Sequence, residues 1–167
     1  MKKLLLAFVL GGLPALASAQ TFDVPAQYTL SKPDDFAKYE PQVINTINWL
    51  EATPANQDLS RRKQAQRFLV EWASGSPNVS IGLQPYVGEL AGKQSDLLVA
   101  FMAGWTRYSL QHPDVKDALT LNAEGVQSML KVYALGGLPT NKPLEKVRDL
   151  AAAGELNTWL KSNISTK

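Results

Sequence analysis

The chain of 167 residues contains no cysteine. Disulfides are therefore excluded, and so are thiol nucleophiles, cysteine zinc centres, iron–sulfur clusters and haem attached through C-x-x-C-H. Histidine is nearly absent as well, with His112 the single copy. A metal site would have to recruit scattered carboxylates, and neither H-E-x-x-H nor an EF-hand loop is present. The G-x-S-x-G elbow is missing, and Ser76 and Ser128 have no evident base beside them. Glycine pairs occur without the G-x-x-x-x-G-K-[ST] pattern of a phosphate loop. We accordingly assign no catalytic residue, no metal ligand and no cofactor from the sequence.

Long apolar runs are also lacking outside the N-terminus. There, MKKLLLAFVLGGLPALASAQ places Lys2 and Lys3 before an apolar stretch at residues 4–10, then Gly11, Gly12 and Pro14, then Ala17-Ser18-Ala19. Basic start, apolar middle and small-residue end in that order predict a secretory signal peptide over residues 1–19. Its apolar core is much shorter than the roughly 20 residues of a membrane-spanning helix, so no span is expected in the mature chain. The expected location is the periplasm or the exterior of a Gram-negative bacterium, which makes the N-x-S sequons at Asn78 and Asn163 incidental.

Excess charge is the next absence. Removing residues 1–19 leaves 148 of the 167 residues and takes Lys2 and Lys3 from the 17 basic ones, leaving 15 against 15 acidic. A formally neutral chain lacks the electrostatic footprint of a nucleic-acid binder. The densest basic spot, Arg61-Arg62-Lys63, is read as a solvated helix face.

What the sequence does hold is helical periodicity, and the expected fold is all-α. Residues 20–33 contain two prolines and no helical period, so they form an extended leader strapped to the domain by Phe22, Val24 and Tyr28. The single helical domain covers residues 34–167. A turn at residues 34–39 precedes Pro41, which is well placed to open a helix carrying Val43, Ile44, Ile47 and Leu50. Asp58 or Ser60 caps the next helix, with Ala65, Phe68, Leu69 and Trp72 on one face, and Gly75-Ser76-Pro77 ends it through a left-handed glycine cap. Val79, Ile81 and Leu83 then alternate in a strand pattern with no visible partner strand. They read either as an extended segment laid across the bundle before a short helix near residues 85–91, or as part of a binding loop over residues 76–93.

The longest helix is expected at residues 94–111 and a further one at residues 122–135, with a single turn at residues 114–119 between them. A last helical region, residues 143–163, breaks near Gly154. The expected architecture is an irregular bundle of about five main helices around one central apolar helix, with an extended loop after the second. The tryptophans at 49, 72, 105 and 159 are unevenly spaced, and the roughly 34-residue tetratricopeptide signature is missing.

The run DLLVAFMAGWTRYSLQH at residues 96–112 is that central helix. Trp105 and Tyr108 lie on its apolar face as core anchors, each needing one hydrogen-bond partner. Arg107 lies on the narrow polar face with Asp96 three turns away, so it must reach water, a carboxylate on another helix, or an anionic ligand. His112 stands at the helix C-terminus, where a cap or a packed residue is the ordinary role. Trp49 falls off the apolar stripe of its own helix and either packs on a second neighbour or contacts a partner.

The candidate binding residues are thus Trp49, Val79, Ile81, Arg107 and His112. The sequence points to an exported, non-enzymatic protein- or peptide-interaction domain, monomeric or weakly dimeric. The alternative is a small-ligand-binding protein or hydrolase-like enzyme, which requires Arg107 or His112 to converge with two carboxylates in a pocket.

Overall fold

Phe36 and Val43 flank Pro41 and both are buried, and the first helix runs through the proline instead of starting at it. This helix, α1, spans Pro33–Leu50. A proline inside a helix costs about 3 kcal/mol. Burying Phe36, Val43, Ile47 and Leu50 together contributes more, at about 1.5–3 kcal/mol per large apolar side chain. The indole of Trp72 also donates to the Phe36 carbonyl at 3.0 Å, one turn before the proline. Pro33 occupies the first turn, and the Asp35 carboxylate accepts from the Ser31 and Lys32 N–H groups at 2.9 and 3.0 Å.

The computed structural model describes residues 23–165. The expected signal peptide at residues 1–19, and residues 20–22 of the leader with Phe22, lie outside the described residues. Among those described there are seven helices in one all-α domain and no strand. Helix α2 spans Leu59–Gly75, α3 Pro85–Ala91, α4 Ser95–Gln111, α5 Ala118–Ala134, α6 Lys142–Ala152 and α7 Leu156–Asn163.

Gly75 does not take the left-handed conformation expected of it. Its reason is contact: a Cβ there would lie 2.7 Å from the Phe36 ring. Helix α5 begins four residues before its expected start, because Asp117 caps it by accepting from the Thr120 N–H at 2.8 Å and the Thr120 hydroxyl at 2.7 Å. The left-handed Gly154, at φ 76°, separates α6 from α7 where the break was expected.

Helix α4 packs against α1, α2, α3 and α5, and its pairing with α5 is the most extensive in the domain. Small residues make that pairing close. A Cβ on Gly104 would sit 2.3 Å from the Glu124 carbonyl oxygen, and one on Gly125 would sit 2.6 Å from the Phe101 ring. The α5–α6 loop folds back on the α1–α2 loop, where the Ala55 N–H donates to the Gly136 carbonyl at 3.2 Å.

Candidate functional site

Leu50 ends α1 buried against the bundle, and this carries the next residue, Glu51, into the interior. Its side chain has no exposed surface. Three donors meet it there. Arg107 of α4 donates to one carboxylate oxygen, which also accepts from Lys131 Nζ of α5 at 2.9 Å. The other oxygen accepts from the Ser128 hydroxyl at 2.6 Å. Ser128 and Lys131 stand three residues apart on α5, the spacing that brings side chains together on one helix face.

A carboxylate at the C-terminus of a helix faces the negative end of the dipole. Burial adds a second penalty and pushes the Glu51 carboxyl upward, but the hydrogen bonds from Arg107, Ser128 and Lys131 outweigh it. The net result is a carboxyl held below its ordinary range. Arg107 keeps 21 % of its side-chain surface and Lys131 keeps 58 %, so the arginine is the better-shielded cation. Arg107 thus reaches a carboxylate on another helix, one of the three destinations open to it from the sequence.

The reading of Arg61-Arg62-Lys63 as a wholly solvated face needs correction. Arg61 and Lys63 are exposed, but Arg62 is only 3 % exposed. The start of α2 lies beside the end of α1, and Arg62 Nη2 donates to the Thr53 carbonyl at 2.5 Å and reaches the Leu50 carbonyl at 3.5 Å. It therefore serves carbonyls that the end of α1 leaves unpaired. Its Nε forms an ion pair with Asp96 Oδ1 at 3.5 Å but no hydrogen bond; that oxygen accepts from Gln66 Nε2 at 2.8 Å. Between the Glu51 and Arg62 clusters is a cavity of about 10 Å³, which is room for about one water molecule.

The five candidate binding residues are dispersed among different surroundings. Trp49 is half-buried against the core, with the Arg62 guanidinium 6.0 Å from its ring centre. Val79 is buried, Ile81 is half-buried beside it, and Leu83 is 54 % exposed. His112 is exposed and stacks on Tyr108, with ring centres 4.1 Å apart and planes at 22°. Its Nδ1 is 3.2 Å from the Tyr108 carbonyl oxygen. His112 follows Arg107 by five positions, just past the end of α4, which places the two on different faces. Trp105 is buried against Phe101 at 5.9 Å, and Gly82 of the α2–α3 loop covers its outer edge. Its indole N–H meets no acceptor among the described residues.

Glu51 and Lys131 were not singled out from the sequence, and Ser128 and Asp96 were met there only as a serine without an evident base and as the start of the polar stripe of α4; the structure sets the Glu51 carboxylate beside Ser128. The signal that was available is the pair Ser128 and Lys131, polar residues three apart beside the apolar stripe of α5. Among the described residues, no group of three or more histidine, aspartate or glutamate side chains is placed to hold a metal ion, and no helix is long and apolar enough to cross a membrane. No family model, curated protein or solved structure matches the chain.

Proposed function

We propose that the chain is an exported, non-enzymatic interaction module that binds a protein or peptide through the α2–α3 loop, residues 76–84, and the helix ends beside it. The observation that carries this reading is the gradient of exposure along that loop. Val79 is anchored in the core, Ile81 is half-buried and Leu83 is 54 % exposed. An apolar side chain held out by a buried neighbour presents contact area without the ordering cost of a free loop. An enzymatic reading needs Arg107 or His112 to converge with two carboxylates in a pocket, and here Arg107 is engaged with Glu51 and His112 with the Tyr108 ring. The N-terminal sequence supports export to the periplasm or beyond.

The test is capture from a periplasmic extract, quantified for the wild-type chain, Leu83→Asp, and Leu59→Asp as a control at another exposed leucine, 65 % exposed. A genuine loop partner should lose at least about tenfold in affinity with Leu83→Asp, which is about 1.4 kcal/mol. It should keep its affinity with Leu59→Asp. Equal loss in both, or loss in neither, rejects the assignment. Recovery of a mature chain beginning at Gln20 from the periplasm or medium tests the export half separately.

A further inference from the structure

The leader crosses α1 and α2 by side chains alone. Among the described residues, residues 23–30 make no backbone–backbone hydrogen bond. Val24 is buried, and the Tyr28 ring packs edge-on against Phe68 at 4.9 Å and Tyr39 at 6.3 Å. The Tyr28 hydroxyl donates to Glu71, whose other oxygen accepts from Arg67 Nε at 2.7 Å. On either side of Tyr28 the trough stays partly open, with grooves of about 430 and 560 Å³ that both border Glu71. The arm joins the domain through Lys32, which is extended at φ −130° and ψ 155°. Pro33 follows, and a residue before proline is disfavoured from turning helical. The hinge therefore holds the arm out of α1.

We propose that this arm exchanges between two copies of the chain, so that the α1–α2 trough is a docking surface for the leader of a second copy. The occupant is identified by the structure itself, since the trough already fits Val24 and Tyr28. Exchange preserves every one of those contacts and changes only the hinge, the condition under which swapping an identical element is inexpensive. What opposes it is the tether, which presents the chain's own arm at an effective concentration on the order of millimolar. A weak, concentration-dependent dimer is the consequence. This inference is independent of the α2–α3 loop.

The test uses the full chain and a fluorescent peptide of residues 23–32. In Tyr28→Ala the chain's own arm competes poorly, so the peptide should bind about tenfold or more tighter than to wild type. Adding Glu71→Ala should remove that gain. If Tyr28→Ala does not fold, Tyr28→Phe loses only the hydroxyl and should shift affinity in the same direction. Sedimentation equilibrium up to about 1 mM should show a wild-type dimer, dissociated by excess peptide and weakened by Tyr28→Ala. A peptide that binds no variant better than wild type overturns the proposal. Peptide binding without any dimer overturns it in favour of an extended segment from another protein, and a dimer indifferent to Tyr28 overturns it as well.

Discussion

Arg107 donates to the carboxylate of Glu51 across 56 residues of chain, at the place where α1 ends against α4. The relationship is asymmetric. Glu51 has no exposed side-chain surface and depends on its donors, whereas the guanidinium keeps some contact with solvent. Losing the arginine therefore strands the acid more than losing the acid strands the arginine.

Arg107→Ala should destabilise the domain by about 3 kcal/mol, the lower end for breaking a buried pair, because Lys131 and Ser128 remain on the carboxylate. Replacing both partners, as Glu51→Leu with Arg107→Met, should recover most of that loss, since similarly sized apolar residues leave no buried charge. Urea melts of both singles and the double form the cycle. Additive losses would show that the pair is not coupled.

Acid should act through the same carboxylate. The folded Glu51 titrates below its ordinary value of 4.5, so on acidification the unfolded chain takes up the proton first. Its contribution is complete above about pH 4.5 and is lost as pH falls through the folded value. Asp35, Glu71 and Asp117 are shifted in the same direction. Glu51→Gln should therefore flatten the acid limb of the stability curve without abolishing it. An unchanged slope in urea midpoints between pH 6 and 3 (roughly the carboxylate range) would contradict the assignment.

Helix ends announced by local chemistry were legible in the sequence: Pro85 opens α3, His112-Pro113 closes α4 and Gly154 parts α6 from α7. Pro41 misled because a local rule predicts a boundary there, and only the burial of Phe36 and Val43 on either side overrides it. That Arg107 must reach water, a carboxylate or an anionic ligand was readable from its place on an apolar helix. That the partner is Glu51 was not, because the pairing exists only once α1 has docked. Arg62 shows the same limit. Arg61, Arg62 and Lys63 are alike as neighbours in sequence, and only the meeting of α2 with the end of α1 turns the middle one inward.

Arg62→Ala should consequently cost about 2–4 kcal/mol, by freeing carbonyls at the end of α1 and taking away the cation paired with Asp96. Arg61→Ala, at an exposed ion pair, should stay within about 0.5 kcal/mol of wild type. Thermal melts of the two side by side check the distinction, and equal effects would restore the reading of a uniformly solvated face.

Trp105→Ala should cost about 3–5 kcal/mol through the cavity left beneath Gly82. Gly104→Ala should also be severe, at about 3 kcal/mol, because its methyl group would press on the Glu124 carbonyl and backbone yields less than a flexible side chain. Near-wild-type melting of Trp105→Ala would mean that its ring is not a core element.

The close α4–α5 contact has a kinetic corollary. Residues 112–117 are all that join the two helices, and loops of that size close in well under a microsecond. Glu51 by contrast meets Ser128 and Lys131 across 77 and 80 residues, a search whose entropy must be spent before any bond rewards it. The α4–α5 hairpin should form the folding nucleus, and the charged network should close after the rate-limiting barrier. Gly125→Ala, which crowds Phe101, should then slow refolding, while Arg107→Ala should leave refolding nearly unchanged and accelerate unfolding.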